Sequence, residues 1–96
     1  MEKIKAAAIK YRLVSDPEND RIVHAFAHEY CRDYFRAAEI YERDRIMDAE
    51  VEGFLTTSDR FVDRYEAYEI ALNAGQIEVP NDNHILKSYN VKYCTA

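Results

Sequence analysis

Residues 53–76, GFLTTSDRFVDRYEAYEIALNAGQ, decide the fold, because three local rules agree on one helix within this stretch. Asp63 occupies an N-cap position, and Glu66 follows three residues later, as in a capping box. Gly75 is suited to the left-handed backbone conformation that commonly ends a helix. Together these signals predict a helix that begins after Asp63 and ends before Gly75.

The predicted helix carries a narrow stripe of small apolar residues, which suits close packing on a sheet. These residues recur at helical spacing: Ala67, Ile70, Ala71 and Ala74. Before the cap, residues 53–57 and 61–62 are rich in β-prone side chains, and residues 58–59 between them are typical of a turn. The stretch therefore predicts strand, turn, strand and helix in that order.

The N-terminal part of the chain predicts a β-hairpin. Residues 4–14 place apolar side chains on both faces of a strand, as expected for an interior strand, although three successive alanines also permit a helix. Residues 15–20 contain turn formers on either side of a proline and predict the connecting loop. Residues 21–28 alternate again and predict the return strand, with His24 and His28 on one face.

A helical period begins at Glu29. One stripe of this predicted helix carries apolar residues: Tyr30, Cys31, Tyr34, Phe35, Ala38 and Tyr41. Charged residues lie largely on the opposite side, so we expect an amphipathic helix. The charge-rich residues 42–52 either continue this helix or form a solvated connector, and Ile46, Met47 and Val51 favour the helical extension.

Beyond the second helix, residues 76–79 predict a short strand and residues 80–83 a turn. The tail, residues 84–96, is apolar enough that we expect it to pack on the body or on a neighbouring molecule. In order, these elements predict an α+β fold: a small antiparallel sheet, built from the N-terminal hairpin and short strands, with two helices. At 96 residues and 11.3 kDa the chain has the size of a single domain, residues 1–96.

Composition indicates a folded protein that uses aromatic side chains at its surface. A domain of this size buries only about 60–65% of its unfolded surface, so its core is small. Tyrosine supplies eight of the aromatic residues and phenylalanine four. Because tyrosine is favoured at interfaces, this excess predicts a homo-oligomer.

Charge and hydropathy argue against several function classes. The formal net charge of −5 disfavours non-specific binding of DNA or RNA, which requires a basic face. The sequence has no apolar run long enough to cross a membrane and begins without the pattern of a signal peptide, so we expect a cytoplasmic protein. Cys31 and Cys94 belong to no metal-binding or redox spacing and are predicted to be reduced thiols.

Catalytic, metal and cofactor motifs are absent from the sequence. With two glycines in the whole chain, a glycine-rich phosphate loop cannot form, and no serine or cysteine lies in a nucleophile turn. His24 and His28 would share a face, but a metal site needs three or four ligands. The sequence therefore predicts a protein that is not an enzyme, has no catalytic residues and carries neither metal nor cofactor.

Arg60 and Arg64 are the residues that most strongly suggest a ligand-binding site. They bracket residues 61–62 at the predicted junction of strand and helix, where free backbone amides of the first helical turn suit a phosphate. Phe54, on the neighbouring strand, is a candidate ring for base stacking. The junction therefore predicts a nucleotide site.

A structural interpretation of the same residues stays open beside this one. Phe54 and Phe61 also fit a core, and the arginines have acids such as Asp63 and Glu66 nearby with which to pair. The Asp63 carboxylate would also compete with an anion for the amides of the first helical turn. On this interpretation the junction is a structural element and binds nothing.

Two stretches of the chain resemble small phage and prophage proteins. The residues that carry the resemblance are Ile4, Lys5, Ala6, Ala7, Ala8, Ile9 and Lys10 in the opening strand, then Gly53, Phe54, Leu55, Thr56, Arg60, Phe61, Val62, Asp63, Arg64, Glu66, Ala67, Ile70, Ala71, Ala74, Gly75 and Gln76. On this motif the chain is similar to the phage sponge family that counters the Thoeris defence system by sequestering cyclic ADP-ribose isomers.

The resemblance implies a phage anti-defence protein that is multimeric and not an enzyme. It would take up a cyclic nucleotide signal in the host cell cytoplasm and leave it chemically unchanged. The ligand contacts that the resemblance and the junction suggest are Phe54, Arg60, Arg64, His24, His28 and Tyr89.

A second function class also fits the sequence. The net charge of −5 and the many acids within residues 39–52 are typical of a protein that covers a host defence enzyme or imitates nucleic acid. Such an acidic inhibitor would bind a protein and no nucleotide.

Overall fold

The computed structural model describes residues 1–77, 84–87 and 91–93. The chain forms, in order, strands β1 (Ile4–Leu13) and β2 (Asp16–Ala25), helix α1 (His28–Ala37), two 3₁₀ turns (Glu42–Asp44 and Met47–Ala49), strands β3 (Val51–Thr56) and β4 (Phe61–Asp63), and helix α2 (Arg64–Asn73). The four strands form one antiparallel sheet in the order β2-β1-β3-β4. The predicted α+β class, with a small antiparallel sheet and two helices, is confirmed.

Both helices pack on the same face of the sheet. Ala7 and Ile9, two residues apart on the interior strand β1, share that face, and they belong to the core clusters of α2 and α1 respectively. The small stripe of α2 makes close packing possible, because Ala67 and Ala71 are fully buried against the sheet. The opposite face of β1 carries Ala6 and Ala8, which are covered by side chains of the sheet itself.

The predicted loop at residues 15–20 is wrong, because β2 begins at Asp16 and the turn is short. Tyr11 pairs with Arg21 and Leu13 pairs with Asp16. Arg12 alone on β1 therefore lies opposite residues 17–20, which form a bulge in β2. Pro17 is tolerated there because β2 is an edge strand and need not donate to a further strand. The Arg12 guanidinium binds Asp20 at 2.7 Å and so holds the bulge against β1.

His28 belongs to α1, and the predicted return strand that included it is too long. β2 ends at Ala25, and α1 begins at His28. The imidazole Nε2 lies 2.8 Å from the carbonyl oxygen of Gly53 on β3. This contact turns the ring toward the sheet, so His24 and His28 do not share a face.

The expected helical extension through residues 42–52 is also wrong. α1 ends at Ala37, and Glu39 adopts a left-handed conformation with φ of 58°. The Val14 amide donates to the Asp44 carbonyl at 2.9 Å, and the Ile46 amide donates to the Arg12 carbonyl at 2.9 Å. These backbone bonds to the end of β1 replace the bonds that a continuous helix would make.

The predicted ends of α2 are confirmed. The Asp63 side chain accepts a hydrogen bond from the Glu66 amide at 2.8 Å, and Gly75 has φ of 72°. Gln76 and Ile77 do not form the predicted strand, and its remaining residues, 78–79, lie outside the described residues, as does the turn predicted at 80–83. The described part of the tail packs on the body as expected, because the Leu86 side chain is fully buried.

Candidate functional site

Arg60 lies exposed immediately before β4 and is engaged by two carboxylates. Its guanidinium donates to Glu2 at 2.8 Å and to Glu66 at 2.6 Å. These hydrogen bonds raise the pKa of Arg60, and the contact with Arg60 lowers the pKa of Glu2. Exposed ion pairs of this kind contribute little free energy, so an incoming anion has weak competitors here.

Arg64 is held by hydrogen bonds to groups within the fold. One guanidinium nitrogen donates to the Leu86 carbonyl oxygen at 2.7 Å, and another donates to the Glu52 carboxylate at 3.1 Å. The guanidinium carbon lies 6.0 Å from the centre of the Phe54 ring, which is fully buried in the core. A base cannot stack on Phe54 unless the core around it opens.

The structural interpretation of the junction therefore describes its contacts well, with one change of partner. Arg60 does pair with Glu66, whereas Arg64 pairs with Glu52 and not with Asp63. Phe54 is a core residue, and Phe61 packs over the opposite face of the sheet. Ligand binding by Phe54, Arg60 and Arg64 stays a prediction.

The other predicted contacts lie apart from this junction. His24 is exposed on β2 and pairs across the sheet with Ala8. The buried His28 ring meets the edge of Phe54 at a centroid distance of 5.1 Å, and burial lowers the pKa of His28, which favours the neutral imidazole. Tyr89 lies outside the described residues. A role for His24, His28 or Tyr89 in ligand binding also stays a prediction.

A cavity of about 190 Å³ lies between the end of α1 and the first 3₁₀ turn, and the sequence did not predict it. Its lining combines three arginines, one carboxylate and three apolar or aromatic side chains: Arg32, Arg36, Arg45, Glu42, Phe35, Ile40 and Tyr41. The Tyr41 ring is partly exposed, and the Arg43 guanidinium lies over it at 4.9 Å. We call this feature the arginine cavity.

A chain of ion pairs includes two of the arginines that line the arginine cavity, Arg32 and Arg45. Its members alternate in charge: Arg45, Glu50, Arg32, Glu52 and Arg64. Glu50 is the centre of this chain, because its carboxylate accepts from Arg45 at 2.8 Å and from Arg32 at 2.8 Å. Three guanidinium groups share two carboxylates, so the chain carries one excess positive charge.

This arrangement suits a small anion. Arginine presents planar N–H forks that match phosphate and carboxylate oxygens, and Arg45 is fixed in position over the Phe35 ring at 4.2 Å. Pockets for whole small molecules are larger, about 300–1,000 Å³, so the arginine cavity fits a phosphate-sized part of a ligand. The remainder of such a ligand would lie on the rim, where the Tyr41 ring offers a stacking surface.

The sequence contains a weak signal for this site. Arg32 and Arg36 are one helical turn apart, so they must lie on neighbouring positions of α1. The contribution of Arg45 depends on how the chain folds back after α1, whereas its neighbours in sequence favoured a helical extension over a solvated connector. The cavity therefore could not be predicted without the tertiary structure.

Acidification is expected to weaken the fold through Glu50. Burial raises the pKa of its carboxyl, but hydrogen bonds from Arg32 and Arg45 outweigh burial and hold the pKa below its ordinary value of 4.5. Such a carboxyl contributes stability that is present above the unfolded-state pKa and lost as pH falls through the lower folded-state pKa. Urea unfolding between about pH 6 and pH 2.5 measures this loss.

Glu50→Gln provides the comparison for this prediction. We expect it to cost about 3 kcal/mol at pH 6, because it leaves two arginines around a neutral side chain, and to lose less further stability on acidification. Asp33→Asn, which removes an exposed carboxylate paired with Arg36, is the control and should cost less than about 0.5 kcal/mol. Parallel stability curves for the wild type and Glu50→Gln would contradict this role of Glu50.

Within the residues that the structure describes, no group of three or more His, Cys, Asp or Glu side chains is arranged to hold a metal ion. No helix among them combines the length and apolarity needed to span a membrane. Cys31 is a free, buried thiol, and burial raises its pKa to about 11, while Cys94 lies outside the described residues.

Comparison with known proteins gives one family and no individual relative. A family model described as phage T4 y16D protein matches residues 3–91. No curated protein and no solved structure matches the chain. The match begins just before β1 and extends into the C-terminal segment, so it includes both the junction arginines and the arginine cavity.

Proposed function

We propose that this chain, which belongs to the phage T4 y16D protein family, is an anti-defence protein that binds a cyclic nucleotide immune signal and sequesters it without cleaving it. The signal we propose is of the cyclic ADP-ribose isomer type, as the resemblance to Thoeris sponges implies. The observation that supports binding is the arginine cavity, which offers guanidinium forks and an aromatic rim in an otherwise acidic protein.

Binding would divide the ligand between the cavity and its rim. Arg36 is exposed and, among the described residues, pairs with Asp33 on its own helix, so its guanidinium can turn toward a phosphate beside Arg45. The base would stack on Tyr41 and gain about 1–3 kcal/mol, a useful share of the roughly 12 kcal/mol that nanomolar binding requires. Tight stoichiometric capture then lowers the free signal in the host cytoplasm by mass action.

Calorimetry tests the proposal with defined ligands. The purified protein is titrated with cyclic ADP-ribose isomers and with cyclic oligonucleotides, and the bound nucleotide is recovered after denaturation for mass spectrometry. We expect saturable binding and recovery of the nucleotide unchanged. Recovery of a cleaved product would make the protein an enzyme, and absence of binding to every nucleotide would remove the sponge function.

Arg36→Gln is expected to weaken nucleotide binding about tenfold, or about 1.4 kcal/mol, because it removes one fork from the arginine cavity and leaves the buried ion pairs intact. Arg60→Gln is the control, since it removes another exposed arginine, the one at the predicted junction. Calorimetry of both variants separates the two locations. Loss of binding in Arg60→Gln with full binding in Arg36→Gln would assign the ligand to the junction instead.

An acidic inhibitor of a host defence enzyme is the second candidate, and one observation favours it. Glu50 and Glu52 are neutralised by arginines, but Glu39, Glu42 and Asp48 in the same region are exposed. On this proposal, these exposed carboxylates would contact a basic protein. Salt-sensitive retention of one host protein, with no nucleotide binding, would favour this function over the sponge.

A further inference from the structure

We propose that Glu42 restricts the arginine cavity to phosphates that carry a single negative charge, which are those linked to carbon or to another phosphate on both sides. Among the described residues that line the cavity, Glu42 supplies the one carboxylate. It shares the lining with three arginines: Arg32, Arg36 and Arg45. This inference rests on the part of the proposed function that places a phosphate in the cavity, and it names the class of phosphate that enters.

The Glu42 carboxylate is available to act on a ligand. The residue is exposed and opens the first 3₁₀ turn after α1. Glu50 and Asp33 are engaged by arginines of the lining, whereas Glu42 forms no ion pair among the described residues. The neighbouring guanidinium of Arg43 lies over an aromatic ring of the rim, outside the lining. The negative charge of Glu42 is therefore left to act on whatever the cavity binds.

The charges around the cavity match one negative charge. The ion-pair chain from Arg45 to Arg64 contains three guanidinium groups and two carboxylates, so it carries one excess positive charge. The pair between Arg36 and Asp33 is neutral as a whole. The chain therefore balances a phosphate with one charge. A second charge on the same phosphate has no positive counterpart and is repelled by Glu42.

Phosphates divide into two classes by this charge. A phosphate linked on one side only carries about −1.5 to −2 charges at pH 7, because its second pKa is near 6. A phosphate linked on both sides lacks the second acidic proton and carries one charge. Every phosphate of a cyclic nucleotide is linked on both sides, whereas common linear nucleotides end in a phosphate linked on one side. Glu42 therefore selects against nucleotides with a terminal phosphate.

The size of this effect follows from the number of charges on the ligand. Glu42 repels each negative charge of a bound phosphate, so a doubly charged phosphate meets that repulsion twice. Between exposed groups, one such interaction changes a binding constant about threefold. Removal of the Glu42 charge therefore improves binding about threefold for a singly charged phosphate and about tenfold for a doubly charged one. An unpaired charge set against the competitor is a general source of specificity.

Two small anions test this role without a base or a sugar. Dimethyl phosphate carries one charge, and methyl phosphate carries two at about pH 8. Each is titrated into isotope-labelled wild type and Glu42→Gln at constant ionic strength, and the chemical shifts of the backbone amides in the cavity lining give the dissociation constants. We expect the wild type to prefer dimethyl phosphate. Glu42→Gln should bind methyl phosphate about tenfold more tightly than the wild type does, and dimethyl phosphate about threefold more tightly.

Glu69→Gln is the matched control, because it removes the same charge from an exposed position of α2 outside the cavity lining. It should leave both dissociation constants unchanged. Equal improvement for both anions in Glu42→Gln, no change for either, or a wild type that prefers methyl phosphate would overturn the inference.

Failure of this inference is distinguishable from failure of the proposed function, because neither anion is a nucleotide. If the anions behave as expected and no cyclic ADP-ribose isomer binds, the sponge function is removed and the role of Glu42 stands. If a cyclic nucleotide binds and neither anion shifts the amides of the cavity lining, the role of Glu42 is removed and the sponge function stands.

Discussion

Gly53→Ala is expected to destabilise the fold by about 3 kcal/mol or more, because the new methyl group has no space. A Cβ at this position would lie 2.2 Å from the Val62 carbonyl oxygen and 2.6 Å from the Phe61 ring. The ring can rotate away, but the carbonyl belongs to the backbone of β4. Relief of that clash requires β3 and β4 to separate, and Gly53 and Phe54 form two of the paired positions between them.

Gly75→Ala is the matched control, because it changes the chain's other glycine without a clash. Among the described residues, no atom beyond the chain neighbours of Gly75 lies within 4 Å of the new Cβ, and the cost comes from the left-handed backbone with φ of 72°. That strain amounts to about 1–2 kcal/mol. Urea unfolding followed by circular dichroism compares the two variants. Equal unfolding midpoints would contradict the view that the close approach of β4 is what requires Gly53.

The signals that predicted α2 succeeded because they act within a few residues. The Asp63 side chain reaches the Glu66 amide inside one turn, and the left-handed conformation at Gly75 depends on that residue alone. The alternation that predicted β1 is local in the same way. A pattern of this kind remains valid whatever the rest of the chain does.

The segment after α1 could not be predicted because its hydrogen bonds reach across the sequence. The Arg32 guanidinium of α1 donates to Glu50 at 2.8 Å, and the Ile46 amide donates to the Arg12 carbonyl at the end of β1 at 2.9 Å. These contacts outweigh a helical propensity that amounts to a few tenths of a kcal/mol per residue. Arg45 and Glu50, which the sequence placed in a helical extension or a solvated connector, pair with each other inside the fold.

The candidate site shows the same difference between local contacts, which the sequence predicts, and long-range contacts, which it does not. Sequence proximity correctly indicated Glu66 as a partner of Arg60, but the second partner, Glu2, lies at the other end of the chain. Phe54 was considered for stacking because it is aromatic and close to arginines. Its burial depends on α2 packing over β3, and burial is a property of the assembled layers.

Gln76 is expected to be the most important polar side chain for the C-terminal part of the fold. Its amide is buried and links the start of β1 to the tail through three hydrogen bonds. The side-chain oxygen accepts from the Ile4 amide at 2.8 Å, and the nitrogen donates to the carbonyl oxygens of Ile4 at 2.7 Å and Lys92 at 2.8 Å. A single side chain thus satisfies three backbone groups that have little access to water.

Gln76→Leu should therefore destabilise the fold by about 3 kcal/mol or more, since it keeps most of the volume but leaves these groups without their partner. Asn73→Leu is the control, because Asn73 is exposed on α2 and should change stability by less than about 0.5 kcal/mol. Urea unfolding measures both. Amide exchange adds the location: the Ile4 amide should exchange much faster in Gln76→Leu, because its acceptor is gone, while the core amides of α2 follow global unfolding. Unchanged protection at Ile4 would mean that the Gln76 side chain does not hold the two ends of the chain together.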